Sequence, residues 1–458
     1  MIGAVWAHLR AYRRSLAASL VLLLIAVPLV NFHPLVWGIV ADKLIEGTLD
    51  GRLLVMWLVV MLATYLIGLA ADSVHTYLLE KAGQGFVRDI RVALFTKFEK
   101  QSLSYHHDTH SGELVTRIVS DVDAMEQSVL RGLAGLLEEV VTFVVVAGMV
   151  LWISPVVGAL SILPLAVAFV FIRIYNRRVR AVYEGVRKRL GRIGSFVQDR
   201  LSGVQVTQSF GREQSEKTVF EDKAEAFYEE SIRASRMRYT FFPIVSTLGF
   251  VNNLVMLGVG AWLIMNNNPA FTLGALIAYR GFWWRLQSPI RTIAQTSDLL
   301  QRARASAARV FQVLDTPVAI EDARGARDLP TSARGGVEFD EVSFHYVQGK
   351  PILRDVSFSI VPGEFVAIAG GSGSGKTTLL NLIPRFYDVT GGRITIDGHD
   401  LRSVRIQSLR SLIGNVGQDS FLFDGTVREN LQYARPDASI SEVESAARAA
   451  NAHEFILA

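Results

Sequence analysis

The chain has 458 residues, 50% hydrophobic and 20% charged, with a net charge of +4 and a mean hydropathy of +0.29. Soluble domains carry closer to about 25% charged residues, so this balance excludes a disordered chain, a collagen-like fibre and an all-soluble enzyme, and the charge is too small to argue for nucleic acid. The absence of cysteine excludes disulfides, thiolate metal sites and a cysteine nucleophile.

Charge is spread unevenly. Residues 1–335 hold 36 Lys/Arg against 28 Asp/Glu, whereas residues 336–458 hold 11 against 15. The first part also contains every long uncharged run: 15–41, 53–71, 140–172 and 239–279. A bilayer crossing needs about 20 apolar residues, so the first two runs fit one span each. Ser154-Pro155 divides the third and Asn266-Asn267-Asn268-Pro269 the fourth, both as turns. The expected spans are about 18–40, 53–75, 133–153, 155–175, 241–265 and 272–292. Arg10, Arg13 and Arg14 precede the first, and the segments 79–132 and 173–238 carry seven and fifteen Lys/Arg. The positive-inside rule then places both termini in the cytoplasm. Val87, Ile90, Val92-Ala93-Leu94 and Phe98 recur at helical spacing, so the two basic segments read as membrane helices prolonged into the cytosol.

Polar residues inside spans are functional suspects: His33, Asp72, His75, Glu138, Glu139, Asn252, Asn253, Arg280 and Arg285. Arg280, beside Tyr279 and Trp283-Trp284, is the best candidate for lining a substrate cavity, together with Trp283, Trp284 and His33. An ion pair with a neighbouring helix is the plainer role for Arg280, and a helix distortion the plainer one for His33-Pro34.

From about residue 336, after a linker at 319–335, the composition turns soluble and α/β. Phe365-Val366-Ala367-Ile368-Ala369 reads as a buried strand, followed by Gly370-Gly371-Ser372-Gly373-Ser374-Gly375-Lys376-Thr377-Thr378 and an apolar helical run from Leu379 to Ile383. Strand, glycine loop and helix with G-x-x-x-x-G-K-T form a phosphate-binding arrangement. Glycines let backbone N–H groups converge on a phosphate, and the helix N-terminus adds donors. Lys376 is expected on the β- and γ-phosphates and Thr377 on Mg²⁺. Tyr346 closes the alternating strand Val342–Tyr346, where its ring serves either to stack on a base or simply to face solvent.

With these motifs the chain resembles an ABC exporter half-transporter, in which six membrane helices are fused ahead of one ATP-binding domain. The likeness rests on Gly112–Arg117 with Asp121-Val122-Asp123, Gln208–Glu213, Phe271–Gly274, Arg309–Asp315, Val342–Tyr346, Gly370–Thr378, Ile394–Gly398, and Gln418 with Leu422–Thr426. It implies a multi-domain fold: an all-α polytopic membrane domain (1–318) and a partial α/β P-loop nucleotide-binding domain (336–458). It also implies Tyr346 as the adenine-stacking aromatic and Gln418 as the glutamine that contacts Mg²⁺ and the attacking water. Short coupling helices are implied near Tyr105–Thr109 and about Arg187–Val197, pressed into the ATP domains. The cofactors are ATP and Mg²⁺, and the partner is a second half-transporter, a homodimer in preference to a heterodimer.

The family's signature motif, late Asp-Glu pair and switch histidine do not occur after Gln418. Asp397 matches an earlier strand and is not the catalytic acid. The expectation is therefore a chain cut short before the signature that does not hydrolyse ATP by itself. The complete protein would export an amphiphilic drug, lipid or similar molecule across the bacterial cytoplasmic membrane by ATP-driven alternating access. The alternatives are a peptide exporter, a degenerate nucleotide-binding subunit of a heterodimer, and an ATP-gated channel or regulator.

Overall fold

The computed structural model describes residues 2–266, 268, 271–330, 332–417 and 421–458. The chain divides into two compact units, residues 1–101 with 105–317 and residues 102–104 with 318–458.

The membrane unit is helical. Its elements are α1 (Ile2–Leu9), α2 (Arg13–Val30), α3 (His33–Ile45), α4 (Gly51–Lys100), α5 (Leu103–Asp108), α6 (Ser111–Thr116), a π-helical turn at Arg117–Asp121, α7 (Val122–Glu126), a second π-helical turn at Gln127–Gly132, α8 (Leu133–Ile153), α9 (Pro155–Ser202), α10 (Val204–Ser209), α11 (Glu213–Met265) and α12 (Leu273–Asp315). At 1.5 Å per residue, the 50 residues of α4 make a rod of about 75 Å, far longer than a bilayer core. Among the described residues, four stretches, Ala7–Ile45, Gly51–Lys100, Ala134–Ile153 and Glu213–Met265, are long and apolar enough to cross a membrane. The regions read as the fourth and sixth spans are helical but lie outside those four, and α9 contributes the shorter apolar stretch Pro155–Pro164.

Local chemistry sets the helix boundaries. Asp50 caps α4, its carboxylate accepting from Leu53 N–H at 2.7 Å. Ser154 precedes α9 with Pro155 at its first position, so Ser154-Pro155 is a tight junction between α8 and α9. Thr272 caps α12 through Ala275 N–H at 3.0 Å. The first apolar run is interrupted between α2 and α3. Pro34 has no N–H to give the carbonyl of Val30, and His33 Nδ1 donates to that carbonyl instead, at 2.9 Å.

Among the described residues, two apolar clusters hold this unit. One joins Val5 and Leu9 of α1, Phe86, Val87, Ile90, Leu94 and Phe98 of α4, Val122 and Met125 of α7, and Ala307, Val310, Phe311 and Val313 of α12. The stripe read on α4 is therefore buried, except that Val92 faces outward at 60% exposure. The other gathers α8, α9, α11 and α12 around Tyr279 and Phe282.

One expectation for the membrane unit is corrected. The segment Arg187–Val197 is not a short coupling helix; it is the interior of α9, which runs unbroken to Ser202. The short helix is α10, Val204–Ser209, bounded by Gly203 and by Gly211 at φ +60°. The first expectation, near Tyr105–Thr109, falls on α5.

The second unit carries β1 (Val337–Phe344), β2 (Leu353–Ile360), α13 (Lys376–Leu382), β3 (Gly391–Ile396), β4 (His399–Asp400), α14 (Ile406–Ser411), α15 (Val427–Leu431), α16 (Ile440–Ala449) and α17 (His453–Leu457). Its antiparallel sheet has the order β2-β1-β3-β4. Phe339, Val342, Phe344, Ile394 and Ile396 of the sheet pack with Leu379 and Leu382 of α13. The expected strand at Phe365–Ala369 is not formed, and Phe365 is 94% exposed. A buried strand exists only where neighbours on both sides complete its ladder, and no described strand pairs with this segment.

Candidate functional site

Residues 370–375 form an irregular loop ending in Gly375 at φ +92°, from which α13 starts at Lys376. That conformation is hostile to any residue with a Cβ, and a Cβ there would also stand 3.0 Å from Leu353 Cδ2. Glycine is favoured at this position chiefly by the turn, since the neighbouring Leu353 methyl is the end of a flexible side chain. Lys376 Nζ donates to the carbonyls of Gly370 and Gly371 at 2.8 and 2.7 Å. The ammonium is thus folded back over the start of the loop, and two neutral carbonyls hold it. A phosphate oxygen is a stronger acceptor for it. Thr377 is exposed, its hydroxyl without a partner among the described residues, whereas Thr378 is buried.

The structure brings Tyr346 to this loop. Its hydroxyl lies 3.1 Å from Thr378 Oγ1. Its ring is braced edge-on by Phe344 and Tyr387, with centroids 4.9 and 5.1 Å away, yet it remains 46% exposed. A braced but half-exposed ring beside a glycine loop is suited to stacking on a planar ligand. Gln418, the remaining residue expected in this site, lies outside the described residues. Asp397 has a different task. Its carboxylate accepts the N–H groups of Arg334, Gly335 and Gly336 at 2.7, 3.1 and 2.8 Å, and these bonds, Gly335 first, hold it below the usual carboxylate range. It anchors the β3–β4 hairpin, whose Asp397-Gly398 turn has positive φ at both residues.

Of the nine polar residues singled out within the spans, four are hydrogen-bonded among the described residues: His33, His75, Glu139 and Asn252. His75 is buried, with Nδ1 2.7 Å from Ser19 Oγ. Glu139 accepts from Ser288 and, at 3.3 Å, from Thr292. Asn252 donates to Ser161 O at 3.0 Å. Trp283 is buried, whereas Arg280 and Trp284 are exposed, and His33 is occupied at the helix break. Asp42 was not singled out from sequence. It sits one residue past an uncharged run and caps α12, accepting from Thr272 Oγ1 at 2.6 Å and Gly274 N–H at 2.7 Å.

A bundle of long apolar helices joined in one chain to a glycine loop, with a lysine and a braced tyrosine beside it, defines a membrane protein that binds nucleotide. Residues 16–289 match the family described as ABC transporter transmembrane region, and residues 353–456 the one described as ABC transporter. The chain is 33% identical over 430 residues to YgaD of Bacillus subtilis strain 168, named as a candidate multidrug export ATP-binding/permease protein; the match covers 93% of this chain and 74% of that one. It is 30% identical over 454 residues to YknV of the same organism, named an uncharacterized ABC transporter ATP-binding protein, covering 98% and 74%. A Staphylococcus aureus (strain NCTC 8325 / PS 47) relative, also named as a candidate multidrug exporter, is 31% identical over 389 residues, covering 84% and 66%. The chain belongs to the ABC transporter family, as an exporter half-transporter with membrane and ATP-binding domains in one polypeptide. Membership carries ATP-driven export, ATPase-type activity, nucleotide binding and pairing with another half-transporter.

Proposed function

We propose that two copies of this protein assemble into an exporter of amphiphilic molecules in the cytoplasmic membrane, with six spans per copy and both termini cytoplasmic. The carrying observation is the loop at 370–375, with Lys376 at its end and Tyr346 beside it, on the same chain as helices long enough to cross a bilayer. The names of YgaD and the Staphylococcus aureus relative support drug-like substrates. Exposed Arg280 and Trp284 on α12 supply the charge and aromatic surface such molecules need.

In this reading the backbone N–H groups of residues 371–376 cradle the phosphates of ATP, and Lys376 neutralises the terminal charge. Tyr346 stacks on the adenine. The free hydroxyl of Thr377 is a hard oxygen donor of the type Mg²⁺ accepts while keeping most of its waters, and Gln418 is its second protein partner. The ion supplies charge neutralisation at the phosphoryl oxygens. Movement at the nucleotide site then drives alternating access of a central cavity.

Inside-out vesicles holding the full-length protein are expected to accumulate a fluorescent amphiphilic cation only when ATP is supplied. Accumulation independent of ATP, or none with any of a panel of drug-like dyes, would falsify the export reading. Within the nucleotide site, Tyr346→Ala is expected to weaken ATP binding roughly 2- to 10-fold, the value of an aromatic stack. Tyr346→Phe, which removes only the hydroxyl contact to Thr378, should bind nearly as the wild type does in a fluorescent-nucleotide titration. Equal losses in the two variants would assign the role to the hydroxyl.

A further inference from the structure

Two segments far apart in sequence meet in the membrane unit through a buried charge. Asp121, at the end of the π-helical turn Arg117–Asp121, has a side chain only 7% exposed. Both of its oxygens are taken by α12: Arg309 Nε donates to Oδ2 at 2.8 Å, Arg309 Nη2 donates to Oδ1, and Ser306 Oγ donates to Oδ1 at 3.0 Å. This is a fork-to-fork pair, the geometry in which arginine fixes orientation as well as distance. The flanking residues Val122, Met125, Ala307, Val310 and Phe311 belong to one buried apolar cluster, whereas the Arg309 side chain is half-exposed.

Three further observations give the pair a purpose beyond packing. First, π-turns stand on both sides of α7, at Arg117–Asp121 and Gln127–Gly132. Such turns add a residue to the helical repeat and re-aim side chains, and they are placed where a helix must do something other than hold up a core. Second, residues 117–126 are also tied to α4, where Arg91 Nη2 donates to Asp123 at 2.8 Å and Arg91 Nε to Ile118 O at 3.3 Å. That pair is half-exposed and weak by nature, whereas Asp121 is buried, and a buried carboxylate that loses its partner is severely penalised. Third, α12 is the helix by which the chain leaves the membrane unit, ending at Asp315 just before residue 318, where the second unit resumes. The segment 117–126 belongs to the cytoplasmic excursion that begins with α5. The pair therefore joins the helix that ends just before the second unit resumes to a segment that follows residues 102–104 of that unit in the chain. The hydrogen bond from Arg309, then those of Ser306 and the nearby charges, holds the Asp121 carboxyl below the usual carboxylate range, so it stays ionised at physiological pH.

We propose that Asp121 and Arg309 are positioning residues for energy coupling: their pair locks the rotation of α12 to the segment 117–126, so that movement reaching either one is delivered to the helices as a single displacement. The idea rests on the exporter reading above. Neither residue touches substrate or nucleotide, and breaking the pair lets the nucleotide site turn over without moving the bundle.

The test uses the full-length protein in proteoliposomes, with ATP hydrolysis and uptake of an amphiphilic dye measured on the same preparation. Asp121→Asn and Arg309→Lys are expected to retain hydrolysis while dye moved per ATP falls about 5- to 150-fold, the usual range of coupling between sites. Arg309→Lys keeps the charge and loses only the fork, so it decides the matter if Asp121→Asn fails to assemble. The exchanged pair Asp121→Arg with Arg309→Asp should recover part of the ratio. Hydrolysis and uptake that fall in equal proportion, or a ratio unchanged in Arg309→Lys, overturns the proposal. A wild type that moves no dye overturns the exporter reading, and this proposal with it, before any substitution is compared.

Discussion

Lys376→Ala in the full-length protein is expected to abolish ATP-dependent transport and weaken ATP binding about 10- to 150-fold, the equivalent of one hydrogen bond to a charged group. The size follows from what the side chain now does. Its ammonium is held by two backbone carbonyls, those of Gly370 and Gly371. Exchanging them for phosphate oxygens replaces neutral acceptors by charged ones, which is where the binding energy arises. Alanine removes the cation and releases the loop together. These effects separate by melting the protein without nucleotide: loop release alone lowers that midpoint, while loss of the phosphate contact lowers only the shift that ATP produces. Lys376→Arg should not rescue, because a planar fork cannot stand in for a compact ammonium at the end of a tight loop. ATP-dependent uptake that persists in Lys376→Ala would remove the loop from the mechanism.

What the sequence made legible, and what it did not, divides by the range of the interaction that decides each element. Helix limits at Ser154-Pro155 and Thr272 are set within three residues by caps, and both were readable. The buried stripe of α4 follows from periodicity, with only Val92 on the wrong side. Local signals also misled. Nothing between Arg187 and Val197 ends a helix, because glycines at 191 and 194 merely weaken it, and the chain turns only where Gly203 and Gly211 are followed by new starts. Phe365–Ala369 has every local mark of a strand, but strand formation is decided by partners elsewhere in the chain. In the nucleotide site the glycine loop was legible from its motif, whereas the brace on Tyr346 from Tyr387, 41 residues on, needed the fold. The same holds for Asp121 and Arg309: each stands in a recognisable motif, but their bond spans 188 positions.

The largest structural effect is expected at Gly274, in the second residue of α12. There α3 and α12 cross with their backbones nearly touching: a Cβ on Gly274 would stand 2.1 Å from the carbonyl oxygen of Gly38 and 2.4 Å from the Asp42 carboxylate, and one on Gly38 would stand 2.6 Å from the carbonyl oxygen of Gly274. Small residues permit such approaches between membrane helices, where packing replaces the hydrophobic drive. The neighbours that would have to yield are backbone and a carboxylate already engaged with Thr272 and the Gly274 N–H, so no flexible side chain can make room. Gly274→Leu should therefore cost about 3 kcal/mol, the upper end for overpacking, and it displaces Asp42 from the first turn of α12, where the Gly274 N–H donates to it. Asp42→Ala removes the cap alone and should cost about 1–2 kcal/mol. Both are read as lowered unfolding midpoints of the purified protein in detergent, and a Gly274→Leu midpoint equal to the wild type would show that the crossing is not close in the membrane. Gly38→Ala and Gly274→Ala offer the sharper comparison. Each alone forces the same two backbones apart, so once one is in place the second has less left to disrupt, and the double variant should cost measurably less than the two single costs added together.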